Sequence, residues 1–360
     1  MSTQLDILAL EPFYGGVRRQ MLQTIMRLSR HRWTLLKLPA RRVERRLAAS
    51  ARWFAELLGR VEMENVHLLF TSEMINLTDL QRIVPRLARR PSLVYFHDNQ
   101  MPSLEQGSTG PLDMVNLNSA MAATEVWFNS QYHQDIFLEK AGALVGRIPE
   151  ISGRNPVSEL RSKSLVMPPP VDLGRVYNAL NSGAEVHRDP RTLLVDLRGI
   201  DVNLLLMVLQ RLDNRGESFN LITIGPQKGL PATLPRTSIH ERDEANQYRA
   251  LREATIFIGM NYGAMSDELI VPALSAGCWP VVPDVGPYAE FIPPMMHLAC
   301  LHDGTVESLV SRILDAWYLE RPMGYETEQQ DMLSRCDAIE SCRLIDDLLS
   351  ELAIGGTIRA

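Results

Sequence analysis

The sequence has few cysteines, few aromatic residues and no long apolar run. Its four cysteines form no C-x-x-C pair and have no histidine at zinc-ligand spacing, which predicts reduced, buried thiols and no metal site. No apolar stretch approaches the ~18 residues of a membrane-spanning helix. The first ten residues lack the basic start and small-residue cleavage site of a signal peptide, so we expect a cytoplasmic protein without a membrane span.

What the chain does contain is enough apolar sequence for two cores and an uneven distribution of charge. Its 360 residues are 45% hydrophobic and 22% charged, which suits two soluble domains of about 150 to 200 residues. Residues 1–100 hold 16 Lys and Arg against 9 Asp and Glu, although the whole chain has a net charge of −6. This asymmetry favours an anionic partner on the first domain, and solvated helix faces are the open alternative.

Short apolar runs alternate with amphipathic stretches along the chain. The predicted strands of the first half are LDILALE, WTLLKLP, VHLLFTS, PSLVYFHDNQ, EVWFNS and SLVMPPPV, with helices between them that include 82–90, 111–123 and 131–141. The predicted strands of the second half are TLLVDL, FNLITIG, TIFIGM and WPVVP. Strands that are almost wholly apolar and separated by helices predict parallel sheets covered on both faces.

The domain organisation follows from this pattern. We expect an α/β protein of two Rossmann-like, doubly wound domains facing each other across a cleft. The predicted parts are a first domain at 1–175, a linker at 176–190, a second domain at 191–335, and a closing helix and tail at 336–360.

Polar residues follow several predicted strands of the first domain. Gly15 and Gly16 end the first, the tetrad from His97 to Gln100 ends the fourth, and Asn129 and Ser130 end the fifth. Carboxyl ends of parallel strands meet at one edge of a sheet, where α/β proteins bind ligands. The glycines would let a phosphate or sugar approach the backbone, and a histidine at an exposed rim suits proton transfer. A plain turn and a strand-capping cluster remain the alternatives.

Two further groups of residues have candidate roles. Arg41, Arg42, Arg45 and Arg46 form i, i+4 pairs that predict two basic ridges on a helix, suited to nucleic-acid phosphates or simply solvated. In the second domain, Asp267 and Glu268 near a predicted helix start would accept hydrogen bonds from sugar hydroxyls, or else only favour the helix dipole. The first turn lacks G-x-G-x-x-G, which argues against a nicotinamide-dependent oxidoreductase.

The segments LEPFYGG, LPARRVERR, LLFTSEMINLTDL, YFHDNQ, VWFNS, VMPPPVDL and SAGCWPVVP resemble the tRNA-queuosine alpha-mannosyltransferase-like family, which has the GT-B fold. The resemblance is dense over 5–175 and returns over 255–293. It implies a glycosyltransferase that moves mannose from GDP-mannose to queuosine in tRNA, with retention at the anomeric carbon and without a metal or cofactor.

The resemblance also implies roles for individual residues. His97 would be catalytic. The acceptor would be held by Glu11, Tyr14, Asn99, Gln100, Asn129, Ser130, Arg41, Arg42, Arg45 and Arg46. The nucleotide sugar would be held by Gly15, Gly16, Arg198, Lys228, Glu268 and Glu290. Asp98 stands where the family has a glutamate.

The second domain departs from the family's donor-binding pattern. Two glutamates that hold the donor in related enzymes are missing, since Ala264 and Pro272 stand in their places, and Arg198 is the one cation in VDLRGID. Two hypotheses therefore stand beside each other: an active glycosyltransferase, and a non-catalytic module that binds tRNA or another anionic partner with an eroded donor site.

Overall fold

The computed structural model describes residues 4–59, 64–101, 114–146, 156–182, 188–240, 243–263, 265 and 267–355. Parts of the predicted helix at 111–123 and of the predicted linker lie outside these residues. The chain forms two compact units. The first consists of Met1–Val171 together with Ala338–Ala360, and the second of Asp172–Asp337.

The first unit contains a six-stranded sheet. Its strands are β1 (Asp6–Tyr14), β2 (Arg32–Pro39), β3 (Leu68–Ser72), β4 (Ser92–Phe96), β5 (Glu125–Phe128) and β6 (Ser164–Val166). They lie in the order β2-β1-β3-β4-β5-β6, and each neighbouring pair is parallel. All six predicted strands are confirmed, and β3, β4 and β5 are buried along their whole length, which favours apolar side chains on both faces.

Helices cover this sheet. They are α1 (Gly16–Leu28), α2 (Val43–Leu58), α3 (Leu77–Ile83), α4 (Val115–Ala122), α5 (Gln131–Gly146) and α6 (Pro156–Ser162). The predicted helix at 82–90 is wrong, since α3 ends at Ile83 and only a 3-10 turn at Leu87–Arg89 follows. Pro85 explains the break, because proline disfavours the helical conformation in the residue before it.

The second unit contains another six-stranded parallel sheet, in the order β12-β11-β10-β7-β8-β9. Its strands are β7 (Thr192–Asp196), β8 (Asn220–Ile224), β9 (Thr237–Ile239), β10 (Ile256–Ile258), β11 (Trp279–Pro283) and β12 (Leu301–His302). The four strands predicted here are confirmed. The two outer strands, β9 (TSI) and β12 (LH), were not predicted, because each contains a single apolar residue and so forms no apolar run.

The helices of the second unit begin earlier than predicted. They are α7 (Leu173–Asn181), α8 (Val202–Asn214), α9 (Glu244–Glu253), α10 (Ile270–Ser275), α11 (His297–Cys300), α12 (Val306–Tyr318) and α13 (Tyr325–Ser334). The linker predicted at 176–190 is therefore wrong in its first part, which is helical. Asp172 caps α7 by accepting a hydrogen bond from the Arg175 amide at 2.8 Å, and Val176 and Leu180 are buried.

The last helix, α14 (Ala338–Ala353), belongs to the first unit. Its apolar face, which includes Ile345 and Leu349, joins the core that α1 forms on one face of the first sheet. Asp346 accepts hydrogen bonds from the Ser29 hydroxyl at 2.5 Å and the Arg30 amide at 2.7 Å. The chain therefore leaves the first unit and returns to it.

Two expectations from composition concern the whole chain. The four cysteines are buried and free, as predicted. Among the helices that the structure describes, none is long and apolar enough to cross a membrane.

Candidate functional site

Buried polar side chains collect at the carboxyl edge of the first sheet. Glu11 lies near the end of β1, where the pairing with β2 shifts register between Glu11 and Tyr14. Its side chain is only 2% exposed, and its Oε1 accepts a hydrogen bond from the Phe13 amide at 2.7 Å. Burial raises the pKa of Glu11 to about 7, although the nearby Arg18 opposes the shift.

Arg18 and Glu73 form a buried ion pair beside Glu11. Arg18 lies in the first turn of α1, and Glu73 follows β3; their side chains are 12% and 0% exposed. The guanidinium stands over the Phe13 ring at 5.6 Å. Arg18 Nε has no hydrogen-bond partner among the described residues, although it is buried. Neither Arg18 nor Glu73 was among the site residues predicted from the sequence.

His97 follows β4, as predicted, but its side chain is not at an exposed rim. It is 4% exposed, and its ring packs on Tyr95 with 4.6 Å between centroids. The expectation of exposure is wrong, since the end of the strand is buried together with Glu73, which accepts a hydrogen bond from the His97 amide. Burial, with the charge of Arg18, holds the pKa of His97 well below its usual range. The imidazole is therefore neutral near pH 7, and its Nδ1 has no partner among the described residues.

The loop after His97 is hydrogen-bonded to α4 and to α5. The Gln100 amide donates to Asn116 Oδ1 at 2.6 Å, and Asn116 Nδ2 donates to the Glu73 carbonyl at 2.9 Å. Asn99 accepts a hydrogen bond from Lys140 Nζ at 3.3 Å and is 9% exposed. The Asn99 Nδ2 atom is buried without a partner in the described part of the chain. Two buried polar atoms, His97 Nδ1 and Asn99 Nδ2, thus lack a hydrogen-bond partner in the described part of the chain.

Asn129 and Ser130 lie in the same region and also have structural partners. Asn129 Nδ2 donates to the His97 carbonyl at 3.0 Å, and its Oδ1 bonds to His133 Nδ1 at 2.8 Å. Ser130 Oγ accepts a hydrogen bond from the His133 amide at 3.1 Å at the start of α5. Burial, together with Lys140 and Arg18, lowers the pKa of His133 to about 3. The sequence had not indicated His133 or Lys140.

The two glycines between β1 and α1 have separate structural reasons. A Cβ on Gly15 would lie 2.7 Å from the Ala40 Cβ, so no larger residue fits beside the segment after β2. Gly16 has a φ of +50°, which glycine adopts readily. Tyr14 is half-buried beside Lys37, whose Nζ is 4.3 Å from the ring centroid.

The arginine cluster does not form the two predicted ridges. Helix α2 begins at Val43, and Arg42 before it has a φ of +54°, so Arg41 and Arg42 are not in the helix. Arg46 is half-buried and donates from Nη2 to the Pro39 carbonyl at 3.0 Å. Arg41, Arg42 and Arg45 are exposed. The exposed arginines therefore lie in the turn before α2 and in its first turn, and not on two helical ridges.

In the second unit, Arg198 is already bound by carboxylates. Its Nε bonds to Asp196 Oδ1 at 2.9 Å, and its Nη1 bonds to Glu268 Oε2 at 3.0 Å. The predicted helix start at Asp267 is wrong, since α10 begins at Ile270. Asp267 is half-buried and accepts hydrogen bonds from the Leu269 amide at 2.8 Å and the Tyr288 hydroxyl at 3.1 Å.

The other two residues predicted for the nucleotide sugar are less enclosed. Lys228 is exposed in the loop after β8. Glu290 is half-buried in a 3-10 turn at Pro287–Glu290. Of the residues predicted for the nucleotide sugar, the fold thus brings Arg198 and Glu268 into contact.

Comparison with known proteins finds similarity to one family within the first unit. Residues 6–171 match the model of the tRNA-queuosine alpha-mannosyltransferase N-terminal family. A tRNA-queuosine alpha-mannosyltransferase of Drosophila melanogaster is 31% identical over 173 residues, which are 47% of this chain and 45% of that protein. The chain thus matches less than half the length of this relative.

Solved structures extend the comparison to both units. A glycosyltransferase from Rickettsia africae has a TM-score of 0.63 at 11% identity, covering 98% of this chain and 99% of its own. A sucrose-phosphate synthase from Thermosynechococcus elongatus has a TM-score of 0.65 at 13% identity, covering 98% and 100%. At such identities the match concerns the fold. The protein has the GT-B fold, and within its first unit residues 6–171 are similar to the N-terminal part of the tRNA-queuosine alpha-mannosyltransferases.

Proposed function

We propose that the protein is a glycosyltransferase that moves a hexose from a nucleotide sugar, GDP-mannose by resemblance, to queuosine in tRNA. The observation that carries this proposal is the buried polar site of the first unit, where Glu11, His97 and Asn99 lie at strand ends within the region that matches the family. We further propose retention at the anomeric carbon, no metal and no cofactor, and action in the cytoplasm.

The chemistry of the site suits an acceptor hydroxyl. Glycosyl transfer passes through an oxocarbenium-like state, and the attacking hydroxyl must give up its proton. A neutral imidazole accepts a hydrogen bond from such a hydroxyl, which an imidazolium does not. Glu11, with a pKa of about 7, is the neighbouring group that changes charge close to physiological pH. The exposed Arg41, Arg42 and Arg45 would contact RNA phosphates.

A transfer assay tests the proposal directly. The purified protein is incubated with GDP-mannose, or with other nucleotide sugars, and with tRNA that contains queuosine or guanosine at the same position. Mass spectrometry of the digested nucleosides should show a gain of one hexose on queuosine only, and the gain should persist in EDTA. If no donor gives any hexose transfer, the proposal that the protein is a glycosyltransferase is refuted.

His97 supplies the site-specific control for this assay. We expect His97→Gln, which keeps a polar side chain of similar length, to lower the transfer rate by about 100-fold or more, in the range of lost proton-transfer groups. The matched change His240→Gln, in the second unit outside this site, should leave the rate unchanged. Equal transfer rates in the two variants would contradict a catalytic role for His97.

One observation favours a second function. The Arg198 guanidinium is held by Asp196 and Glu268, so this cation is neutralised before any diphosphate arrives. A donor site in which Arg198 is already paired favours the second hypothesis, in which the protein is a non-catalytic module that binds tRNA or another anionic partner. Calorimetry with GDP-mannose and other nucleotide sugars separates the two: binding supports the enzyme, whereas tRNA binding without any nucleotide-sugar binding supports the module.

A further inference from the structure

The Arg18–Glu73 pair connects the elements that surround His97. Glu73 Oε1 bonds to Arg18 on α1, and Glu73 Oε2 accepts a hydrogen bond from the His97 amide at 3.3 Å. The Glu73 amide donates to the Tyr95 carbonyl at 3.2 Å, and its carbonyl accepts from Asn116 on α4. One residue thus fixes both ends of the loop from His97 to Gln100, since Asn116 holds the Gln100 amide.

Stability alone does not account for this pair. Removing two charges from water costs several kcal/mol per ion, and apolar residues of similar size often stabilise a core at least as well as a buried pair does. The burial of Glu73 is complete, and Arg18 is accessible over only 12% of its side chain. Arg18 also leaves its buried Nε without a partner among the described residues, as Arg46 and Arg312 do.

The setting of the pair is functional. Arg18 stands between three acidic residues, Glu11, Glu73 and Asp98, as the cation that acts on all of them. It also packs on Phe13 within the segment EPFYGG. The pair therefore joins that segment to the loop of His97, and both segments carry the family resemblance.

We propose that Arg18 and Glu73 are positioning residues: as an ion pair they hold His97 and the loop to Gln100 in the arrangement that receives the acceptor. This inference rests on the proposed function for the identity of the acceptor. It assigns neither residue a contact with the reacting atoms. The pair acts through His97, whose amide and ring surroundings it fixes.

A double substitution separates positioning from folding. Arg18→Met together with Glu73→Leu removes both charges and keeps apolar volume, so no uncompensated charge stays buried. We expect the melting temperature to stay within a few degrees of wild type. The kcat for transfer should fall by about 30-fold or more, while KM for tRNA and donor changes less than about threefold, because misplacement slows chemistry more than binding. The pair Arg191 and Glu217 of the second unit, bonded at 2.6 Å, is the control for the same two changes and should leave kcat unchanged.

Hydrogen–deuterium exchange provides a readout that does not require transfer. In the double variant, peptides covering 97–101 should exchange at least about tenfold faster than in wild type, while peptides covering β7 should be unchanged. Unchanged exchange at 97–101, or a wild-type kcat, would overturn the proposal. If wild type transfers no sugar, the proposed function fails, and the exchange rates still decide whether the pair positions the loop.

Single variants keep the test decisive if the double variant does not fold. Glu73→Gln keeps the shape and an acceptor for the His97 amide, and it removes only the charge that holds Arg18. It should lower kcat by about tenfold with KM unchanged. Arg18→Lys, which keeps a cation for Glu73, should restore part of the rate that Arg18→Met loses. A Glu73→Gln variant with wild-type kcat, or no rescue by lysine, would contradict the inference.

Discussion

Glu11 is a carboxyl group whose charge changes close to neutral pH. Its environment explains this, because burial disfavours the carboxylate and Glu73 adds negative charge nearby, against the attraction of Arg18. The carboxyl group therefore keeps its proton well above the pH at which an exposed glutamate loses it. Ionisation of Glu11 should therefore affect both the stability and the activity of the protein.

The stability of the protein should fall as Glu11 ionises. The folded pKa of about 7 lies above the value of 4.5 that the group has when unperturbed, so this contribution is fully present below pH 4.5 and lost as pH rises through 7. We expect the free energy of unfolding of wild type to fall relative to that of Glu11→Gln by up to about 3 kcal/mol between pH 5 and pH 8. Urea unfolding at several pH values measures the difference.

Glu56 provides the comparison for this prediction. It is an exposed glutamate on α2 of the same unit, and Glu56→Gln makes the same chemical change in water. We expect the free energies of Glu56→Gln and wild type to run parallel over this pH range. If the Glu11→Gln curve also runs parallel to wild type, Glu11 does not titrate near neutrality.

Sequence predicts which residues stand at the strand ends but not how they are buried. Glu11, His97, Asn129 and Ser130 were found because each follows an apolar run that is visible locally. His97 is buried beside residues of other elements, such as Glu73, which accepts a hydrogen bond from its amide, and Arg18, whose charge acts on its ring. Such tertiary partners leave no local pattern, and so the predicted exposure of His97 was wrong.

At the scale of elements, the turn between β1 and α1 is set by packing against the segment after β2. A Cβ on Gly15 would meet the Ala40 Cβ at 2.7 Å, closer than two carbon atoms approach. We expect Gly15→Ala to lower the free energy of unfolding by about 1 to 3 kcal/mol, the usual cost of overpacking. Gly59→Ala, at the end of α2 where the nearest atom is 3.3 Å away, should cost less. Equal losses in urea unfolding would contradict the close contact.

The basic turn before α2 has a separate prediction. Replacing Arg41, Arg42 and Arg45 with glutamine should weaken tRNA binding and reduce the slope of log Kd against log salt by up to about 2, because each lost phosphate contact removes about 0.7. Fluorescence anisotropy at several salt concentrations measures the slope.

A control with the same loss of charge shows whether position matters. Arg211, Arg249 and Arg343 are exposed and each is paired with a glutamate. Their replacement by glutamine should leave the slope unchanged. Equal slopes in the two triple variants would mean that the arginines before α2 act only through net charge.

Elements were predicted well where their apolar pattern is long and poorly where it is short. The strands β1 to β6 are nearly continuous in apolar residues, and all of them were predicted. The strands β9 and β12 each contain a single apolar residue, and the start of α7 lies among turn-forming residues. The arginine ridges failed for another reason, since i, i+4 spacing matters only inside a helix and α2 begins after Arg42.

At the scale of the whole molecule, the chain returns to its first unit through α14. Sequence predicts the amphipathic helix itself, but not the sheet against which its apolar face packs. Leu349 is fully buried in the core with α1, whereas Leu344 on the same helix is 52% exposed. The two leucines offer the same substitution at opposite faces of one helix.

Leu349→Ala should destabilise the first unit selectively. We expect a loss of about 2 to 5 kcal/mol from the cavity left beside α1, and less than about 1 kcal/mol for Leu344→Ala. In hydrogen–deuterium exchange, amides of β1 and β3 should lose protection in Leu349→Ala, because their unit opens more often, while amides of β7 and β10 keep theirs. Equal loss of protection in both sheets would show that α14 supports the molecule as a whole. Selective loss would mean that α14 stabilises only the unit that contains the candidate site. Helices α1 and α14, which lie near opposite ends of the described chain, would then belong to one folding unit.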